Sequence, residues 1–262
     1  MKLPDLLPEN HYMRMVRFEL GGAMAQTHLA IVKDKSGSEM RAFVKHFPAS
    51  SPRGLFNEYV GYSVMSALGM PQPESAVIKA PIPSKNQANF AFVSFQPVPI
   101  SEGTPKEIYN LNRIEHWKVL AERMVGCSAF PGMIAADQVC MNHDRNMGNL
   151  VFTSKKGFVL IDHSEIFGGG NSDINQLLKT TQKVNSKPLA MCEQFYPLKQ
   201  RVKSAVCGAA DVVAEKMWTE YTSLCKALKA DEQREVKIAL DAIWWRSLEL
   251  SKWLKNEMGV LA

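Results

Sequence analysis

No stretch of the 262-residue chain approaches the roughly eighteen consecutive apolar residues that a membrane-spanning helix needs. The opening MKLPDLLPENHYM has prolines and acids where a secretory leader has its apolar segment, so a cytoplasmic protein without a membrane span is expected. Cysteine is scarce and scattered. The five residues Cys127, Cys140, Cys192, Cys207 and Cys225 are odd in number and form no C-x-x-C, which argues against both a disulfide framework and zinc. Internal repeats and low-complexity tracts are absent, as is a basic amphipathic helix of the kind that lies on lipid. Charge of one sign is also lacking. A net charge of +5 allows an anionic ligand but is too small and dispersed to argue for direct nucleic-acid binding. What remains is ordinary globular composition, 46% apolar and 22% charged, in a chain long enough for one large domain or two small lobes.

The most informative stretch is NHDRNMGNLVFTSKKGFVLIDHSEIFGG, residues 142–169. Two short apolar runs, Leu150–Phe152 and Phe158–Ile161, flank a polar segment ending in Gly157, the pattern of a β-hairpin whose strands are buried on both faces. Pairing Thr153 with Phe158 sets Asn149 opposite Asp162, where facing side chains stand roughly 4.5–5.5 Å apart at Cβ. An amide and a carboxylate then converge at the open end, with Asp144 on the entering loop. Two oxygen ligands suited to magnesium beside a further carboxylate form a phosphoryl-transfer arrangement. A surface hairpin whose polar ends make Asx-turns accounts equally well for this segment alone.

Upstream, residues 12–20, 26–33, 39–47, 74–79 and 90–95 read as five strands. Gly21 and Gly22, between the first two, would let backbone approach a phosphate without a Cβ in the way, although G-x-G-x-x-G is absent and an ordinary hairpin turn fits as well. Residues 53–68 read as a helix stopped by Gly69. Lys45 on the third strand and Glu58 on this helix are thirteen residues apart and form a candidate ion pair, though either alone also reads as a solvated charge. The sheet ends at Gln96-Pro97-Val98-Pro99, which places a boundary after residue 97. Helices follow at 110–124 and 128–141. Asp137, among apolar neighbours on the second, either braces the loop around Asn142 and Asp144 or sits at the surface. Residues 171–188 are polar, and three helices fill 189–258, with Trp218, Trp244, Trp245 and Trp253 as candidate core residues.

NHDRNMGN followed by FVLIDHSEIF resembles the HipA-like kinases and, more distantly, the phosphatidylinositol 3- and 4-kinases. AFVKHF followed by FNEYVGYSVMSALGMPQPESAVI resembles the lysine strand and helix of the same HipA-like family. The resemblance covers about residues 20–170. It implies an α+β, two-lobed protein-kinase-like fold, with a five-stranded antiparallel N-lobe at 1–97 and a mainly helical C-lobe at 98–262. It further implies ATP and Mg2+ as cofactors and phosphoryl transfer to a hydroxyl, foremost a protein serine or threonine. By that resemblance Asp144 accepts the hydroxyl proton, and Asn149 and Asp162 hold magnesium. Lys45 meets the α/β-phosphates, Glu58 anchors Lys45, and Gly21 and Gly22 cover the phosphates. Arg145 orients the catalytic loop or the γ-phosphate. From the architecture alone, a hinge near residues 96–99 would read adenine through main-chain groups; His163 stands where protein kinases have the phenylalanine of D-F-G and reads as a packed or capped histidine. An antitoxin-like regulator is the implied partner. The alternatives are a lipid or small-alcohol kinase and a catalytically silent binding module.

Overall fold

The run EMRAFVKH alternates apolar with polar, QTHLAIVK carries four consecutive apolar residues at 29–32, and Asp34-Lys35-Ser36-Gly37 turns the chain between them. Asp34 Oδ1 accepts from the backbone N–H groups of Ser36 (2.8 Å) and Ser38 (3.0 Å), and Gly37 supplies a left-handed φ of 85°. In the computed structural model, which describes residues 1–18, 25–83, 87–97, 105–170, 172–175 and 184–258, these runs are β3 (Gln26–Lys33) and β4 (Glu39–His46). With β1 (Asp5–Leu7), β2 (Tyr12–Phe18), β5 (Ser75–Pro81) and β6 (Ala88–Phe95) they form a six-stranded sheet in the order β1-β5-β6-β4-β3-β2.

The expected five-stranded antiparallel sheet is therefore one strand short. Residues 5–7 pair in parallel with β5 through Asp5–Ala76, Leu6–Val77 and Leu7–Ile78. Three residues between Pro4 and Pro8 are too few to display a period of two, so this edge strand leaves almost no mark in the pattern.

One face of the sheet has its own apolar core, with Ala30, Val32, Ala42, Val44, Ile78 and Val93 at its centre. The other face presents Phe43, Lys45 and Phe92 to a cleft. Helix α1 (Gly54–Ala67) crosses this second side, where Tyr62 packs with Val77 and Phe92. It ends as expected at Gly69, with φ of 77°, and the bonds Gly69 N–Ser66 O (3.0 Å) and Met70 N–Met65 O (2.8 Å) complete a Schellman cap. The opposite side of α1 (Val60, Val64, Met65, Leu68) lies in the large core of the helical part.

That part comprises α2 (Pro105–Asn110), α3 (Ile114–Val125), α4 (Ala129–Cys140), the hairpin β7 (Leu150–Ser154) and β8 (Gly157–Leu160), α5 (Lys187–Glu193), α6 (Leu198–Ala227) and α7 (Arg234–Met258). The long α6 and α7 pack through small and aliphatic residues, including Ala210, Val213, Leu240 and Ile243. The tryptophans are consequently not core residues. Trp218 is 63% exposed, Trp245 is exposed, and Trp244 and Trp253 are half-buried. No single described helix is long and apolar enough to cross a membrane; α3 and α4 pass such a test only together, and they meet at 89°.

Candidate active site

The hairpin forms, but in a different register from the expected one. Leu150 pairs with Leu160, Val151 with Val159 and Phe152 with Phe158, whereas Ser154 pairs with Gly157. Thr153 is the extra residue of a bulge, which shifts everything beyond it by one place. Asn149 therefore faces Ile161, whose N–H donates to Asn149 O at 3.1 Å. The two strands are not buried on both faces either: Leu150, Phe152, Phe158 and Leu160 are buried, while Val151 and Val159 on the other face are only half-buried. Asn149 and Asp162 still share one cavity because the backbone leaves the ladder at both ends. Asn149 closes the short 3-10 turn Met147–Asn149, and Asp162 adopts a left-handed φ of 63°, a conformation that aspartate tolerates better than most residues.

The loop carrying Asp144 is fixed from below. Helix α4 ends at Met141 in a left-handed conformation, and Asn142 N donates to Asp137 O at 2.9 Å. Asp137, fully buried, accepts from Asn142 Nδ2 (3.0 Å) and from Arg145 Nε (3.0 Å) and Nη2 (3.1 Å). Of its two expected placements, the loop brace is the one adopted. Burial pushes its carboxyl up, and Arg145 and Asn142 oppose the rise. Arg145, also fully buried, donates from Nη1 to Ile161 O (3.1 Å), which ties the loop to the residue before Asp162. Its fork is thus spent on Asp137 and the backbone, and Arg145 does not line the cleft; of the two roles implied for it, only orientation of the loop is compatible with this position. Asn142 Oδ1 accepts from Asp144 N (3.3 Å), and Asn149 Nδ2 donates to Asp144 O (2.8 Å), so the Asn149 amide oxygen is the atom that could hold a cation.

Lys45 is the centre of the arrangement. It lies on β4, an interior strand, and its ammonium donates to Glu58 Oε1 on α1 (2.6 Å) and reaches Asp162 Oδ1 at 3.0 Å. Burial works against the Lys45 charge, but Asp162 and Glu58 outweigh it and hold the ammonium above its ordinary range. Burial likewise opposes the Asp162 charge. Lys45 and the Ser164 hydroxyl, which donates to Oδ1 at 2.8 Å, outweigh it and hold the carboxyl below the usual range. For Glu58 burial dominates and pushes the carboxyl up to about 7, while Lys45 pulls the other way. Both Glu58 oxygens nevertheless accept N–H groups, Oε2 from His163 N at 2.9 Å, and a proton placed there would have no acceptor. The carboxylate is the form that fits. His163 is buried and packed, with Nε2 2.7 Å from Gln72 Oε1. Asn57, beside Glu58, donates to Ser164 O (2.7 Å) and Ile166 O (3.0 Å).

These groups open onto a cleft of about 420 Å³ between the sheet and the helical part. Lys45, Glu58, Asp144, Asn149 and Asp162 all line it, and Arg145 does not. Gly21 and Gly22 lie outside the described residues, as do residues 98–99 of the expected adenine-reading segment. Lys106, Asn146, Ser164 and Glu165 also line the cleft and were not anticipated. Asn146 and Ser164 had a signal: each stands two residues after a key aspartate, the spacing of a local Asx or ST turn. The contacts of Asn57 span 107 and 109 residues and had none. Among the described residues no cluster of three or more His, Cys, Asp or Glu forms a metal cage. One carboxylate and one amide oxygen are instead the partial, hard-oxygen set that magnesium takes when phosphates and water complete its shell, so the donor chemistry fits that ion.

No family model matches the chain, and no curated protein matches it. Among solved structures it is similar to the Helicobacter pylori proinflammatory kinase CtkA, at 15% identity and a TM-score of 0.47, over 90% of this chain and 96% of that one. It is also similar to the open conformation of CtTel1, at 13% identity and a TM-score of 0.47, over 91% of this chain and 12% of that one. At these scores neither likeness assigns a function to the cleft.

Proposed function

We propose that the cleft binds ATP with magnesium and transfers the γ-phosphoryl group to a hydroxyl, that of a protein serine or threonine, in the manner of the HipA-like kinases. The observation that carries the reading is Lys45, whose side chain is 12% exposed and whose ammonium is bonded to a helix carboxylate on one side and to Asp162 on the other. A structural ion pair needs one carboxylate. A lysine shared by two, one of them on a turn that opens into a cleft beside Asp144, is suited to holding an anion and a cation together.

In this reading residues 1–97 cover the nucleotide and residues 98–262 carry the catalytic loop and the metal ligands. Lys45 would pair with the α/β-phosphates, with Glu58 keeping it in place. Asp162 and Asn149 would hold magnesium, which when bound neutralises phosphate charge. Asp144 would accept the proton of the attacking hydroxyl, and Gly21 and Gly22 would cover the phosphates. Arg145 acts through Asp137 and Ile161 as a positioning residue. The work of the protein is thus orientation and charge placement, as phosphoryl transfer requires.

Thermal melting with and without ATP tests the first step. A ligand bound only by the folded state at a hundred times its dissociation constant stabilises by about 2.7 kcal/mol. The melting temperature should rise with ATP and magnesium together and fall back on chelation; an unchanged melt at millimolar ATP and magnesium refutes the assignment. Labelled ATP offered to protein, inositol-lipid and small-alcohol acceptors then separates the acceptor classes.

A further inference from the structure

Lys106 is the second residue of α2 and, with Lys45, one of two lysines that line the cleft. No described arginine lines it. Lys45 is already committed to Glu58 and Asp162, whereas Lys106 forms no ion pair or hydrogen bond among the described residues. The stem of Lys106 lies against the loop at residues 144–149. A Cβ placed on Gly148 would stand 3.4 Å from Lys106 Cδ and 3.0 Å from Asn146 Oδ1, so any larger residue there would press on both. Asn146 Oδ1 is not free to move aside, because it accepts from Gly148 N at 2.7 Å. Glycine thus permits the close approach of Cδ. The ammonium, two single bonds or roughly 2.5 Å further on, remains beside the loop that joins Asp144 to Asn149.

That loop offers the cleft no cation of its own. Arg145, its one basic residue, is fully buried, is bonded to Asp137 and to Ile161 O, and does not line the cleft. Asn146 bonds within the loop, Nδ2 donating to Asp144 O (3.0 Å) and Asp144 Oδ2 (3.2 Å). Phosphoryl transfer to a hydroxyl makes the need plain. The acceptor oxygen bonds to the γ-phosphorus, the bond from that phosphorus to the β-phosphate oxygen breaks with its electron pair, and the hydroxyl proton passes to Asp144. Negative charge is spread over the γ-phosphoryl oxygens throughout, and a cation aimed at them favours the transition state. With Lys45 assigned to the α/β-phosphates, Lys106 is the lysine of the cleft that is left for the γ-phosphoryl group.

We propose that Lys106 is a catalytic residue whose ammonium contacts the γ-phosphoryl group during transfer, a role that rests on the ATP reading of the cleft. Lys106→Gln and Lys106→Arg, made in the full chain at an exposed position and checked by unchanged ligand-free melts, test it in two ways. In melts with magnesium and either nucleotide, Lys106→Gln should weaken ATP by about tenfold, the size of one charge-assisted bond, and leave ADP as in the parent protein. ADP release should fall at least about tenfold in Lys106→Gln and recover in part in Lys106→Arg, which keeps the charge. Unchanged ATP affinity and turnover in Lys106→Gln, or equal loss of ATP and ADP, would overturn the role of Lys106 and leave the ATP site standing. A change confined to the KM of the acceptor would likewise overturn it, since the lysine would then serve the acceptor. A parent protein whose melt does not respond to ATP and magnesium would overturn the underlying reading, and the role of Lys106 with it.

Discussion

Replacing Asp162 with asparagine separates the site's chemistry from its architecture. Asp162 has a left-handed backbone, which asparagine adopts at least as readily, and Ser164 can still bond the retained amide oxygen. Lys45 keeps Glu58 at 2.6 Å. The fold loses one charge-assisted bond, worth about 1.5–3 kcal/mol. Two effects offset this: the Asp162 side chain is 36% exposed and hence partly screened, and its repulsion of Glu58 disappears. The net loss is ~1–2 kcal/mol, or about 2–8 °C in melting temperature for a chain of this size. The effect on turnover is of another order. Asp162 is the only charged group in the proposed magnesium set, and loss of a preorganised electrostatic group of this kind costs about 10³-fold, or ~4 kcal/mol of barrier. ADP release, measured over a range of magnesium concentrations, should therefore fall by three orders of magnitude in a protein that still melts cooperatively. Turnover within tenfold of the parent protein would refute the metal assignment. A melt more than about 15 °C lower would show instead that Asp162 is primarily structural.

On the proposed function, in which Asp144 receives a proton rather than binds nucleotide, Asp144→Ala should lose phosphoryl transfer while retaining the melting shift given by ATP and magnesium; loss of the shift would move Asp144 into the binding set. Arg145→Leu leaves the buried Asp137 with Asn142 as its remaining side-chain partner and should cost about 3–5 kcal/mol by thermal or urea unfolding, with recovery in the Asp137→Leu, Arg145→Leu double variant. A single variant that melts within about 2 °C of the parent would contradict the brace. His28, buried in the sheet beside His46, has its pKa lowered from 6.5 to about 4, chiefly by burial and secondarily by the His46 charge. Its folded form thus binds protons less readily than its unfolded form, so the stability it supports is complete above about pH 6.5, falls as pH drops through that window, and is gone below about 4. His28→Gln should flatten this part of a melting-temperature profile against pH; a profile identical to the parent's would assign the acid sensitivity elsewhere.

The order of elements was legible because most of it rests on local chemistry: the Asp34 turn, the Gly69 cap and the apolar periods of the helices. Lys45 and Glu58 could be paired from the sequence because strand and helix are consecutive and the helix must return across the strand that precedes it. Three features were not legible. The hairpin register turned on one bulged residue, Thr153, and apolar patterning is blind to a one-place shift when both strands are apolar throughout. The placement of Asp137 depended on Arg145 reaching it, which no period records. Trp218 was misjudged because helical spacing identifies a face but not whether anything covers it; with α6 packed on α7 through smaller residues, its indole stays 63% exposed and stacks on Trp244.

The site gains its precision from α1 rather than from the hairpin that announces it. Asn57 and Glu58 are adjacent on that helix and between them hold His163 N, Ser164 O and Ile166 O, the backbone immediately after Asp162, while Glu58 also holds Lys45 on the sheet. The same helix contributes Val60, Val64, Met65 and Leu68 to the core of the helical part. One element therefore sets the lysine of the sheet and the carboxylate of the hairpin relative to each other, and it is fixed to the helical body by burial. A shift of α1 by one hydrogen-bond length would break the bonds to Lys45 and to the backbone beyond Asp162 together, because both depend on consecutive residues of a rigid helix. The competence of the cleft is for this reason a property of how α1 is seated, and the buried apolar side of α1 belongs to the functional site as much as the residues that line it.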